Sequence, residues 1–210
     1  MRAAWLAVLL AGCGLAEYEK KMQDAEERSA RFDEYAKALA LPLDLPRPDP
    51  KKKDAAPLPM VTLRPPKGIP TQPAKEPRAG VRWAYLPPNA TIAAPFGAVE
   101  LAFGKPDDKE FHARLLATFD GKPGPAIVHK AKPPGRKETE FVRTVIDAGD
   151  YEWSVNTHRG VAVVFLWAKA QGMAARKTAD LSLETFAEGP ESHRVRTQAT
   201  TGGPLGTVPR

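Results

Sequence analysis

Apolar and polar positions change their spacing along the chain, and each change marks an element. In YEWSVNTHRGVAVVFLWA, Tyr151, Trp153, Val155 and Thr157 alternate with Glu152, Ser154, Asn156 and His158. That period of two predicts a strand with one apolar face. Val161 to Trp167 is apolar on both faces, as a central strand is, and NTHRG before it predicts a hairpin turn with Gly160 at positive φ. Upstream, FVRTVID puts Val142, Thr144 and Ile146 on one side. AIVHK and AVELAF supply two more short strands, the second with Val99, Leu101 and Phe103 inward.

Helical spacing appears in three places. In PDDKEFHARLLATFDG, Phe111, Leu115 and Phe119 form a stripe with Leu116 beside them, Asp107 and Glu110 make an acidic capping box, and Gly121 is the stop. A second helix is expected around Ala179 to Glu188, closed by Gly189-Pro190, although DLSL also reads as a strand. The third runs from Leu15 to Ala40 without Gly or Pro. Its less polar residues, Leu15, Tyr18, Met22, Ala25, Ser29, Phe32, Ala36 and Leu39, follow heptad spacing. Lys21 and Arg28 at g would meet Glu26 and Asp33 at e of a parallel copy. The seam is poor in bulk, so three roles stay open: a solvated stalk, a helix docked on the chain's own domain, or a weak parallel self-association through residues 15–39.

These patterns predict an α+β domain over residues 82–190. It is an antiparallel sheet with one or two helices packed on one face, preceded by an N-terminal stalk helix and a Pro-rich linker. Thirteen of the 22 prolines lie between Pro42 and Pro88. Proline removes a backbone donor and fixes φ, so residues 42–81 are expected to be an extended basic spacer. At about 3.1 Å per residue it would carry the domain on the order of 100 Å from an anchor. Residues 191–210 read as a disordered tail.

The net charge of +6 suggests a nucleic-acid partner only until it is divided. Residues 42–82 hold nine Lys/Arg against four Asp/Glu, and residues 192–210 hold three against none, whereas residues 83–191 hold thirteen against fourteen. The domain is near neutral and no nucleic acid is expected.

The start of the chain carries an address. Met1-Arg2 is a minimal basic region and Ala3 to Leu10 an apolar run too short to span a bilayer, which needs roughly 20 residues. Leu10-Ala11-Gly12-Cys13 then resembles the lipobox of bacterial lipoproteins. The resemblance implies that residues 1–12 are a signal peptide cut before Cys13, and that its thiol and new amine carry fatty acyl groups such as palmitate. It implies residence in the cell envelope, lipid-anchored to a membrane. Gly14 does not resemble the inner-membrane retention aspartate of some bacteria, which favours the outer membrane facing the periplasm. With its one cysteine so used, the chain has no thiol for disulfide, metal or catalysis.

Catalytic patterns are missing. Ser154 and Ser182 lack the glycine-flanked elbow of hydrolases, and GKPG is not a phosphate loop. His112, His129, His158 and His193 show no metal-ligand spacing, and His112 near Asp108 one turn back reads as surface pairing. Neither metal nor cofactor is expected beyond the covalent lipid. In HKAKPPGRK, Lys130, Lys132, Arg136 and Lys137 are candidate anion contacts. Trp83, Tyr85, Trp153 and Trp167 suit a core better than a ligand groove. The expected function is a membrane-anchored lipoprotein that presents a non-enzymatic protein-interaction domain on a long tether. The alternative is a lipoprotein that binds cell wall or carbohydrate through basic and aromatic surface residues.

Overall fold

A computed structural model describes residues 3–45, 61–68, 83–85, 96–105 and 108–189, with 3–14, 44–45, 83–85 and 96 described by backbone alone. The chain is α+β. Helix α1 (Ala3–Ala38) is followed by strands β1 (Leu43–Leu45), β2 (Val61–Leu63), β3 (Trp83–Tyr85) and β4 (Phe96–Phe103). A short α2 (Phe111–Leu116) precedes β5 (Lys122–Pro123), β6 (Ile127–Ala131), β7 (Thr139–Ala148), β8 (Tyr151–His158) and β9 (Val161–Ala168). After one 3-10 turn come α3 (Gly172–Glu184) and β10 (Ala187–Glu188).

The main sheet is antiparallel in the order β3-β4-β9-β8-β7-β5, with β6 also paired to β7. The unbroken apolar run of β9 is explained by its place between β4 and β8 and by cover on both faces. On one face Val163, Phe165 and Trp167 pack with Ala175, Ala179 and Leu183 of α3. On the other, Ala162 and Val164 pack with Phe111 and Leu115 of α2. The two domain helices therefore lie on opposite faces, not on one as expected. Amphipathic spacing fixes which side of a helix is buried but not which side of a sheet buries it. The same cover puts Ser154 and Asn156, expected on an open polar face, beneath α3, where the Asn156 amide donates to Ser154 O and Val163 O.

The hairpin of β8 and β9 turns over two residues only, because His158 pairs with Val161. Arg159 (φ 42°) and Gly160 (φ 72°) both occupy the left-handed region that a tight antiparallel hairpin requires. At Gly160 a Cβ would meet the Lys105 carbonyl oxygen at 2.4 Å.

The helix expected around 106–121 is shorter than its apolar stripe. Asp107 lies outside the described residues, and Asp108 accepts from the Glu110 N–H at 3.1 Å. Gly121 (φ 135°) is not the helix stop but part of the entry to β5. The last helix begins earlier and ends sooner than 179–188. DLSL is helical, while Ala187-Glu188 pair with β2. The tail over 191–210 lies outside the described residues.

The largest departure concerns residues 42–81. Val61–Leu63 is the central strand of a second sheet, β1-β2-β10, and Val61 and Leu63 are fully buried against Val99, Leu101 and α3. Prolines flank these three residues without interrupting them, so each keeps its N–H. Leu45 pairs with Val61, so segment 46–60 starts and ends at adjacent positions and adds no reach between α1 and the domain.

Nor is the N-terminal helix a free stalk throughout. Phe32, Tyr35 and Leu39 pack on Leu181 of α3. Arg64 donates to the carbonyls of Ala40 (2.9 Å) and Leu39 (3.4 Å), satisfying orphan acceptors at the end of α1. Ala40 N–H also reaches Pro65 O, and Lys67 N–H reaches Ala38 O. The folded unit thus includes the end of α1 together with β1 and β2, and its boundary is not at residue 82. Two seam positions, Phe32 and Leu39, are used within the chain, whereas Leu15 and Tyr18 (both 61 % exposed) and Met22 (46 %) remain open.

Candidate functional site

The turn 132–138 joins β6 to β7 and carries three of the four expected anion contacts, Lys130 lying just before it in β6. Pro133 and Pro134 cannot extend the ladder, and Gly135 (φ 70°) reverses the chain. Arg136 then faces the end of α3. Its guanidinium donates to Glu184 O at 2.6 Å and Phe186 O at 3.2 Å, so a cation closes the negative end of that helix.

Glu184 is the junction of this region. Its carboxylate accepts from Arg31 through Nε (2.9 Å) and Nη2 (2.5 Å), and from the Tyr35 hydroxyl (2.7 Å). Arg31 also pairs with Glu34, which accepts from Lys177 of α3. The hydrogen bond to Glu184 holds the Arg31 guanidinium protonated beyond its ordinary range. Burial, followed by the neighbouring Glu184, pushes the Tyr35 hydroxyl well above its usual value. Tyr35 and Glu184 were not candidates in the sequence. Their only signal was a tyrosine beside the heptad seam.

Two grooves flank the turn and share Gly135 and Arg136. The first, of about 520 Å³, lies between the turn and Asp24, Glu27, Arg28 and Arg31 of α1. The second, of about 510 Å³, runs between Lys137, Thr139, His158 and the segment Phe186–Glu188. Of the four expected anion contacts, Lys130 is paired with Glu138 (3.0 Å) and Glu140 (3.2 Å), and Arg136 is engaged by carbonyls. Lys132 lines the first groove and Lys137 the second. Folding adds Arg28 and Arg31 to this basic group from more than a hundred residues away, which the local charge pattern did not show.

The described histidines lie apart. His112 sits between the Thr157 and Thr144 hydroxyls, both at 2.9 Å, and burial lowers its pKa. It does not pair with Asp108, which binds Arg114 instead. His129 is 3.6 Å from Asp180, and Asp180 accepts from Arg143 at 2.5 Å. Burial and then the Arg143 charge lower the pKa of His129. His158 Nδ1 donates to Glu140 O at 2.7 Å, with its ring against Phe141 and Phe186. His193 lies outside the described residues. Among the described residues no three His, Cys, Asp or Glu side chains are grouped to hold a metal ion.

Trp167 is buried and donates to Glu152 at 3.0 Å, while Trp153 stacks edgewise on Phe119. The side chains of Trp83 and Tyr85 lie outside the described residues, as do those of Leu10, Ala11, Gly12 and Cys13, whose backbone continues α1. Among the described residues no helix is long and apolar enough to cross a membrane. No family model matches the chain, and comparison with curated proteins finds no match.

Proposed function

We propose that this chain is a cell-envelope lipoprotein, cleaved behind Leu10-Ala11-Gly12 and acylated at Cys13, whose domain is a non-enzymatic module for binding another envelope protein. The observation that carries the reading is that the lipobox cysteine is followed by one uninterrupted helix whose far end is docked on the domain. A group fixed in a membrane at Cys13 would therefore hold the domain by a short rigid arm. From Cys13 to Arg28 the helix rises about 22 Å at 1.5 Å per residue, far less than the reach expected of an extended spacer. Short reach confines the domain to partners near the same membrane, at raised effective concentration. The residue after the cysteine, Gly14, favours the outer membrane.

The groove between the turn and α1 supports the interaction role, being open and lined by charged residues of the arm itself. The described histidines support the non-enzymatic part, since each has a separate structural neighbour. Carbohydrate binding through aromatic residues draws no support from Trp153 and Trp167, which pack inward. A photoreactive amino acid placed at Lys132, and separately at exposed Lys109, tests the role in cells. A reproducible foreign protein captured from 132 but not from 109 is the expected result. Adducts confined to wall polymer, or equal at both positions, would overturn it.

A further inference from the structure

The geometry points to the groove between α1 and the 132–136 turn as a binding site for an acidic polypeptide segment. This rests on the interaction role proposed above and names its chemistry. Arg28 and Arg31 of α1 face Lys132 and Arg136 of the turn, so four cations from two distant parts of the chain line one opening. Glu184 and Glu34 neutralise Arg31. The Arg136 guanidinium donates to the carbonyls of Glu184 and Phe186. Arg28 gives its Nε to Asp24 O one turn back, which leaves the rest of its fork directed elsewhere, and Lys132 has no ion pair among the described residues.

Like charges held across an open groove repel one another, and a carboxylate between them relieves that repulsion while accepting from the planar Arg28 fork. The opening is about 520 Å³ and shares Gly135 and Arg136 with a second of similar size lined by Phe186. A lone anion would leave most of that space to water, whereas an extended chain fills it. Asp24 and Glu27 lie one turn N-terminal to Arg28 and Arg31, so the groove is bipolar along α1. That polarity fixes the sign of a second set of variants.

Binding of a fluorescein-labelled hexaglutamate peptide to the full chain, read by anisotropy at low salt, tests the site. Saturable binding is expected. Arg28→Gln with Lys132→Gln should weaken it about fivefold, two exposed charge contacts each being worth roughly a factor of two to three. Asp24→Asn with Glu27→Gln should tighten it by about the same factor. Lys109→Gln with Lys122→Gln should leave it unchanged. None of these side chains holds the domain together, so folding is retained. Absence of saturable binding overturns the proposal. So does equal weakening by the 109/122 pair, or full displacement by inorganic phosphate at the peptide's own concentration. Each of those results leaves crosslinking from position 132 free to succeed, so the two readings can fail separately.

Discussion

Replacing Glu184 by alanine probes how α1 is fastened to the domain. Glu184 is 9 % exposed and its carboxylate accepts three hydrogen bonds, two from Arg31 and one from Tyr35. Tyr35 is 3 % exposed and would keep a buried hydroxyl without its acceptor, at a cost of about 1–3 kcal/mol. The Arg31 side chain is 35 % exposed and keeps Glu34, so its share is screened to about 0–1 kcal/mol. The sum is about 1–4 kcal/mol, most of it at Tyr35. Urea unfolding followed by tryptophan fluorescence gives the total, and amide exchange over residues 30–40 shows whether the helix end has come loose. Tyr35→Phe should destabilise the native protein, yet be neutral or stabilising in the Glu184→Ala background, because it then removes the orphaned group. A loss below about 0.5 kcal/mol, with the same Tyr35→Phe effect in both backgrounds, would refute the latch.

Three further outcomes follow from particular contacts. Gly160→Ala puts a Cβ against the Lys105 carbonyl at a φ of 72°, and should cost at least about 1–2 kcal/mol, seen as a lower Tm. His112 and His129 have lowered pKa values in the folded state, so the unfolded chain binds more protons near their ordinary value of 6.5. Stability is therefore full above that pH and falls as the solution is acidified through it. The urea midpoint should drop between pH 7.5 and 5.5, and drop less in His112→Gln. Replacing the fifteen residues 46–60 with a four-residue loop should leave the domain folded and raise its stability by about 1 kcal/mol, because Leu45 and Val61 are already paired. Unfolding of that variant would contradict the hairpin.

The strand at β8, the apolar run of β9 and the glycine between them were legible from alternation and turn chemistry, although alternation did not show that Ser154 and Asn156 are buried beneath α3. What escaped was information that spacing does not hold. Val61-Thr62-Leu63 is three residues long among prolines, and the density of its surroundings masked it, although proline outside a strand costs that strand nothing. The stripe of α1 announced a buried face but not its partner, and Glu184 is 149 residues from Tyr35. The basic loop was legible as charge. Whether a given cation would be free or engaged was not, and Arg136 proved to be engaged by helix carbonyls that exist only once α3 ends at Glu184.

The anchoring of the chain is tested most directly by the N-terminus of the protein extracted from cells. Mass spectrometry of wild type from the membrane fraction should find a first peptide that begins at Cys13 and carries diacylglycerol and fatty acyl mass. Cys13→Ser should leave the membrane fraction or retain an uncut leader. An unmodified peptide beginning at Met1, or membrane retention unchanged by Cys13→Ser with no acyl mass, would contradict the lipid anchor and the short-arm placement built on it.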